Sequence, residues 1–161
     1  MAPVDPADDQ ANFLDRLAAR RPVIVHRRIL WGDCDPAGVV YTPRFGDYFT
    51  SARDWFMRAG IDVREQARPE SGGITFPMRA LAYDFRSFLT AEDVIEMTVL
   101  VTAISRRSFT LKVAATKLPL RSPAFFATGT QVCLDKTLRE AVAIPEEIAA
   151  SLADYQNAQD S

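Results

Sequence analysis

The 161-residue chain predicts an α+β fold in which an antiparallel sheet wraps one long central helix. Three observations carry that prediction: a helix-period stripe rich in aromatics, a run of period-two segments after it, and short connections between those segments. The stripe and the buried faces of the strands each need an apolar partner, and each supplies it to the other. The length suits one domain, able to bury roughly 70% of the surface its unfolded chain exposes. With 48% hydrophobic and 25% charged residues the composition is globular.

Residues 1–10 read as an acidic tail. Phe13, Leu14, Leu17 and Ala18 stand at helical spacing and predict a short amphipathic helix, ended by Arg20, Arg21 and Pro22. Residues 1–22 are therefore expected to stand outside a domain covering 23–155, with 156–161 as a C-terminal tail. Val23 to Leu30, β-branched and apolar with polar interruptions, reads as the first strand. A loop dense in turn formers and carboxylates follows, Trp31-Gly32-Asp33-Cys34-Asp35-Pro36-Ala37-Gly38.

The clearest helix comes next. Thr42 is a suitable N-cap, and Pro43 fits the first helical position, where its missing N–H costs nothing. Phe45, Tyr48, Phe49, Ala52, Trp55, Phe56 and Ala59 recur at three and four, and Gly60 provides the stop. This stripe predicts the central element of the core.

Beyond Gly72-Gly73 the period changes to two. Ile95, Met97, Val99, Val101 and Ala103 alternate with Glu96, Thr98, Leu100 and Thr102; Phe109, Leu111, Val113 and Ala115 alternate with Thr110, Lys112, Ala114 and Thr116. Such alternation marks strands with one face buried. Two more strands fit around Met78–Ser87 and Phe125–Leu134. The connections Leu89–Asp93, Ser105–Arg107 and Leu118–Pro123 are short enough for antiparallel hairpins. Pro145, Glu146 and Glu147 open a last helix to about Tyr155, with acids near its positive end.

Charge and composition exclude several classes. A net charge of −2 gives no general attraction to nucleic acid. The apolar stretch Met97–Ser105 falls far short of the roughly 18 residues a membrane span needs. Met1–Gln10 carries acids and prolines where a signal peptide carries basic and then apolar residues. Two cysteines, Cys34 and Cys133, make no disulfide framework and suit a reducing cytoplasm. A cytoplasmic protein is expected, with neither nucleic acid nor membrane as partner.

Elimination also narrows the chemistry. A Ser-His-Asp machine needs a histidine base, and His26, the single histidine, falls in a strand with no G-x-S-x-G elbow elsewhere. His26 reads as a structural strand histidine. Cys34 has no positioned base or cation beside it to raise its thiolate fraction. One His and two distant Cys make no ordinary zinc site, and no phosphate-cradling glycine loop is present, so no metal or cofactor is expected. Catalysis, if present, runs on carboxylates, hydroxyls and backbone amides.

Asp33 and Asp35 are the candidates. An ordinary aspartate is ionised at neutral pH and serves as base or nucleophile without special activation. The loop leads into a helix N-terminus, whose free N–H groups and partial positive charge favour a developing oxyanion. Asp, Gly and Pro also simply make turns, and spacing alone does not separate the two readings.

The run Trp31-Gly32-Asp33-Cys34-Asp35-Pro36-Ala37-Gly38-Val39-Val40-Tyr41-Thr42-Pro43-Arg44-Phe45 resembles the signature of the 4-hydroxybenzoyl-CoA thioesterase family, and its G-D-C-D-P-A-G core is similar to the aromatic acyl-CoA members. The resemblance extends from about Val23 to Ile148. It implies the hotdog fold, in agreement with the order of elements above. It further implies hydrolysis of an aromatic or medium-chain acyl-CoA to free acid and CoA. Asp35 takes the place of the catalytic aspartate, which attacks the thioester carbonyl or activates water. The backbone N–H of Thr42 takes the place of the carbonyl-polarising donor. The family often carries Tyr or His where Thr42 stands, so a ring is missing here. Gly38 and Tyr41 fall at substrate-binding positions, and Asp33 and Cys34 shape the loop. Some hotdog thioesterases place the carboxylate on the central helix, which makes Asp47 a reserve candidate.

Ser105-Arg106-Arg107-Ser108-Phe109 resembles the basic hairpin that contacts coenzyme A phosphates in the same family, implicating Arg106, Arg107 and Ser108. The resemblance also implies a homodimer or homotetramer with sites between subunits. Two rival functions remain: a non-catalytic acyl-CoA-binding module, and a thioesterase acting on acyl-carrier-protein thioesters.

Overall fold

A computed structural model describes residues 14–63 and 73–159; Phe13 and the acidic tail before it lie outside the described residues. The strands are β1 (Asp15–Arg20), β2 (Val23–Arg28), β3 (Ile74–Thr75), β4 (Met78–Phe85), β5 (Val94–Ile104), β6 (Ser108–Lys117), β7 (Ser122–Val132) and β8 (Leu134–Asp135). The helices are α1 (Arg44–Trp55), continued by a wider turn over Phe56–Gly60, and α2 (Glu146–Gln159). Six strands form one antiparallel sheet in the order β1-β2-β5-β6-β7-β4, and β3 pairs with β8. α1 lies against one face of the large sheet, which is the expected hotdog arrangement.

One expected element is overturned. The segment Leu14–Ala18 forms no helix: Asp15–Arg20 is a strand, and the sheet begins ahead of the boundary expected at residue 23. Arg21 and Pro22 make a two-residue turn that lays β1 along β2, pairing Arg20 with Val23 and Asp15 with Arg27. Two leucines and an alanine are too short a pattern to fix a helix, whereas the open edge of β2 offers a full ladder of partners. The Arg27 guanidinium donates to both Asp15 oxygens at 3.0 and 3.1 Å, and Ser51 of α1 donates to the same carboxylate, tying the edge to the helix.

The aromatic stripe is buried as expected. Phe45, Tyr48, Phe49, Ala52 and Phe56 are all buried against β2, β5, β6 and β7. The Phe45 ring meets Phe125 edge-on at 5.1 Å and Phe85 at 4.7 Å. Phe49 packs so closely on β7 that a Cβ at Gly129 would overlap its ring. Only a residue without a side chain fits there, which is the usual meaning of a glycine inside a strand.

α2 runs to Gln159, so most of the expected tail after 155 is helical. β2 ends opposite Val99, leaving the rest of β5 without a neighbour on that side. Side chains of α2 take its place: Tyr155 Oη accepts from Val23 N–H at 2.6 Å and donates to the Val99 carbonyl at 2.8 Å. The Gln159 amide both accepts from the Val101 N–H and donates to its carbonyl, each at 2.8 Å. Burial pushes the Tyr155 phenol up to about 12. At the other edge β4 is exposed along nearly its whole length. Among the described residues no helix is long and apolar enough to cross a membrane.

Candidate active site

The loop between β2 and α1 is a folded unit with its own closure. A short helical turn over Trp31–Asp33 leads to a bridge between Cys34 and Val40. Inside that bridge the Asp35 N–H donates to Val39 O, and the Gly38 N–H donates to Asp35 O, both at 2.9 Å. Gly38 has φ +79, a backbone conformation that glycine adopts without strain, so the tight reversal falls on it. Asp35 Oδ1 accepts the Ala37 N–H at 2.8 Å. Its second oxygen has no hydrogen-bond partner among the described residues. The side chain is half-buried and lines a cavity of ≈ 670 Å³ with Trp31, Pro36, Gly38, Thr90 and Ala91.

Asp33 does different work. It is buried, accepts the Leu30 N–H at 3.2 Å and the Tyr48 hydroxyl at 3.0 Å, and its own carbonyl accepts the Tyr41 N–H at 2.9 Å. It therefore pins both ends of the loop to the second turn of α1. Burial, then the hydrogen bond to Asp33, raises the Tyr48 phenol well above its ordinary range, so it stays a proton donor. The Arg27 guanidinium covers the same ring 4.7 Å from its centroid.

α1 opens differently from the expected cap. Thr42 makes no side-chain cap, and Pro43 holds the N-cap position. The first turn instead closes through backbone bonds: Arg44 N–H to Tyr41 O at 2.8 Å, then Phe45 N–H to Thr42 O and Gly46 N–H to Pro43 O, each at 3.2 Å. Pro43 has no N–H. The Thr42 N–H is left with no hydrogen-bond partner among the described residues, at the positive end of the helix.

Thr42 lines an apolar cavity of ≈ 410 Å³ with Val39, Val40, Phe45, Phe85, Arg86, Ser87, Phe88 and Leu89. It opens beside the first turn of α1, not beneath the helix, where Phe49 and Phe56 fill the space. Asp35 and Thr42 thus line separate cavities, Gly38 belonging to the first and Val39 and Val40 to the second. Tyr41 is exposed, its backbone bonded to Asp33 and Arg44. The wall made by Phe85 to Leu89 was not legible as site material in the sequence; large apolar residues left exposed at the end of an edge strand are the signal for it.

The remaining candidates fall elsewhere. Asp47 is exposed on α1 and ion-paired with Arg44 at 3.2 Å. His26 bonds Glu96 at 2.9 Å, with Arg16 3.2 Å from its other ring nitrogen, a structural role on the sheet. Cys34 is half-buried, its thiol 3.8 Å from Leu30 O. Arg106 and Arg107 occupy the β5–β6 hairpin, where their carbonyls accept the Ile144 N–H at 2.9 Å and the Cys133 N–H at 2.7 Å. Ser108 and Ser105 close the hairpin with a 2.8 Å hydroxyl contact. The loop from β2 adjoins the Val94–Lys117 end of the sheet, and the hairpin stands at the Ile104–Phe109 end. Within one chain, the structure does not bring the arginine pair to Asp35.

Comparison with known proteins fits this geometry. The chain is 29% identical over 90 residues to a 4-hydroxybenzoyl-CoA thioesterase of a Pseudomonas species, covering 55% of this chain and 64% of that protein. It is 25% identical over 126 residues to an acyl-CoA thioesterase of Haemophilus influenzae, covering 77% and 89%. A Staphylococcus aureus protein solved in complex with CoA superposes with a TM-score of 0.77 at 16% identity, over 92% of this chain and 89% of that one, and shows the shared fold. A sequence model of the thioesterase-like superfamily matches residues 29–152. That match starts just after β2, ends within α2 and takes in the aspartate loop, α1 and four of the six strands of the large sheet, so the chain belongs to the thioesterase-like superfamily.

Proposed function

We propose that the chain hydrolyses an acyl-CoA thioester to free acid and CoA, with an aromatic or medium-chain acyl group. The observation that carries this reading is the unpartnered N–H of Thr42, a residue lining an apolar cavity, seven residues after a half-buried aspartate with one free oxygen. The acyl group enters among Phe45, Phe85, Phe88 and Leu89, and Gly38, on the Asp35 cavity, and Tyr41, next to Thr42 in the chain, are assigned to substrate contact by position. The thioester lies against the Gly38–Val40 segment, so that its carbonyl oxygen takes the Thr42 N–H. Negative charge then grows on that oxygen at the helix N-terminus. Asp35 attacks the carbonyl carbon, or removes a proton from the water that does. The C–S bond breaks and the sulfur leaves as the thiolate, taking a proton to become the CoA thiol. Where water attacks, the free acid forms directly; where Asp35 attacks, water then hydrolyses the acyl-aspartyl anhydride to the free acid and restores the carboxylate. The relatives named for acyl-CoA substrates support this reading.

The CoA phosphates are assigned to Arg106, Arg107 and Ser108 of a partner subunit. β4 is an exposed edge, and pairing two copies along it makes a continuous sheet. A two-fold axis normal to the sheet reverses the partner and exchanges its ends. The partner's hairpin then arrives at the end where this chain holds Asp35. A homodimer is thus the smallest assembly with a whole site, and a homotetramer pairs two of them. A reducing, cytoplasmic setting suits the two free thiols.

Thiol release from benzoyl-, hydroxybenzoyl-, phenylacetyl- and straight-chain acyl-CoA tests the assignment. Asp35→Asn is expected to lower kcat by about 10²–10⁴-fold, the usual worth of a positioned base. Thr42→Ala keeps the N–H and is expected to retain most turnover. Unchanged release in Asp35→Asn sinks the role of Asp35. CoA binding with no release from any thioester favours the binding module, and release from carrier-protein thioesters alone favours that substrate class.

A further inference from the structure

Arg86 lines two cavities. One is the apolar cavity beside Thr42; the other is a depression of ≈ 310 Å³ on the opposite sheet face, lined by Ala82, Asp84, Lys112, Phe126 and Thr128 as well. The sheet register explains the hollow. Asp84, Phe126 and Ala114 form one row across β4, β7 and β6, and Ala82, Thr128 and Lys112 form the next. Ala114 and Thr128, the small residues flanking Phe126 on its face of the sheet, leave its ring half-exposed. Two cations converge on that ring: Lys112 Nζ stands 4.8 Å from its centroid and the Arg86 guanidinium carbon 5.5 Å. Arg86 is paired with Asp84, whereas Lys112 has no carboxylate partner among the described residues.

We infer that this depression is the seat of the adenosine 3′-phosphate end of the CoA substrate, in the same protomer that holds its acyl group. The inference rests on the acyl-CoA reading of the Thr42 cavity. A flat base stacks on Phe126, as bases do on aromatic platforms. The 3′-phosphate takes the Lys112 ammonium, which exchanges its place over the ring for a charge-assisted hydrogen bond. Arg86, at the rim common to both cavities, meets the chain as it passes from one to the other. The hairpin arginines of the partner subunit are left to the diphosphate. Lys117, the next cation along β6, already pairs with Asp93 at 3.0 Å.

The test compares benzoyl-CoA, its 3′-dephospho analogue and benzoyl-pantetheine on the wild type, Lys112→Glu, Lys112→Met and Phe126→Leu. Lys112 faces away from the acyl cavity, so kcat is expected to stay within about twofold while KM for benzoyl-CoA rises about tenfold in Lys112→Glu, less in Lys112→Met. With the 3′-dephospho analogue the Lys112 variants match the wild type. Phe126→Leu raises KM for both nucleotide-bearing thioesters and leaves benzoyl-pantetheine unchanged. A Lys112→Glu effect equal on all three substrates, or absent on all, overturns the inference, as does a 3′-phosphate dependence that follows Arg106→Ala/Arg107→Ala instead. If the wild type releases no thiol, the thioesterase reading has failed, and calorimetric titration with adenosine 3′,5′-bisphosphate still reads the depression. Binding weakened about tenfold by Lys112→Glu supports it, and equal or undetectable binding overturns it.

Discussion

The Tyr48 hydroxyl donates to Asp33 Oδ2 at 3.0 Å, joining the second turn of α1 to the loop that carries Asp35. Both groups are buried, and the same carboxylate oxygen holds the Leu30 N–H. Loop and helix are thereby fixed as one body, and the relative placement of Asp35 and the Thr42 N–H depends on that bond. Tyr48→Phe keeps the ring and removes the donor. It is expected to destabilise the fold by about 1–3 kcal/mol, the cost of a buried carboxylate left short of a partner. Denaturant unfolding measures the loss, and kcat is expected to fall more than KM rises.

A glycine in β7 sets the distance between sheet and helix. A Cβ at Gly129 would overlap the Phe49 ring and stand 2.9 Å from the Met78 sulfur. Gly129→Ala is expected to cost about 1–3 kcal/mol through overpacking, read as a lower thermal midpoint. Phe49→Leu in the same chain relieves the clash, so the double variant is expected to lose less than the sum of the singles.

Burial alone would raise the Asp93 carboxyl, but the Thr90 N–H at 2.8 Å and the Lys117 ammonium at 3.0 Å outweigh it and hold the group below its ordinary range. A carboxyl depressed in the folded state stabilises above its unfolded pKa, about 3.9, and that contribution is lost as pH falls through the folded value. Asp93→Asn is therefore expected to be less stable than the wild type at neutral pH. The gap narrows steadily below about pH 4, as a pH series of unfolding curves would show.

β4 presents Met78, Leu81 and Phe85 from a strand with a free hydrogen-bonding edge. A strand left this way is a template for pairing with another copy. Light scattering is expected to give a dimer or a multiple of it, and Leu81→Lys together with Ala80→Pro to shift it toward monomer with loss of turnover. A wild-type monomer with full activity sinks both the pairing and the shared phosphate contact.

The long-period features of this chain were legible in its residues. The aromatic stripe Phe45, Tyr48, Phe49, Phe56 and the alternations Ile95–Val101 and Phe109–Ala115 report burial directly, because a helix or strand must hide one face whatever its neighbours are; past Val101 a register shift leaves Ala103, expected inside, exposed. The Asp35 loop was legible for a related reason: its carboxylates, glycines and proline act within a few residues, and the Gly38 turn closes on itself. Short or long-range relations were not. Five residues around Leu17 fit a helix as well as a strand, and only the open edge of β2 decided for the strand. The Tyr48–Asp33 bond spans 15 positions, and the Thr42 cavity takes its far wall from Phe85 to Leu89. The placement of Arg106 and Arg107 at the opposite end of the sheet follows from the length of β5, not from any local pattern. Side-chain chemistry and periodicity are properties of neighbours along the chain; which groups share a cavity is set by how strands pair and where the helix crosses them, and the tertiary structure alone decides it.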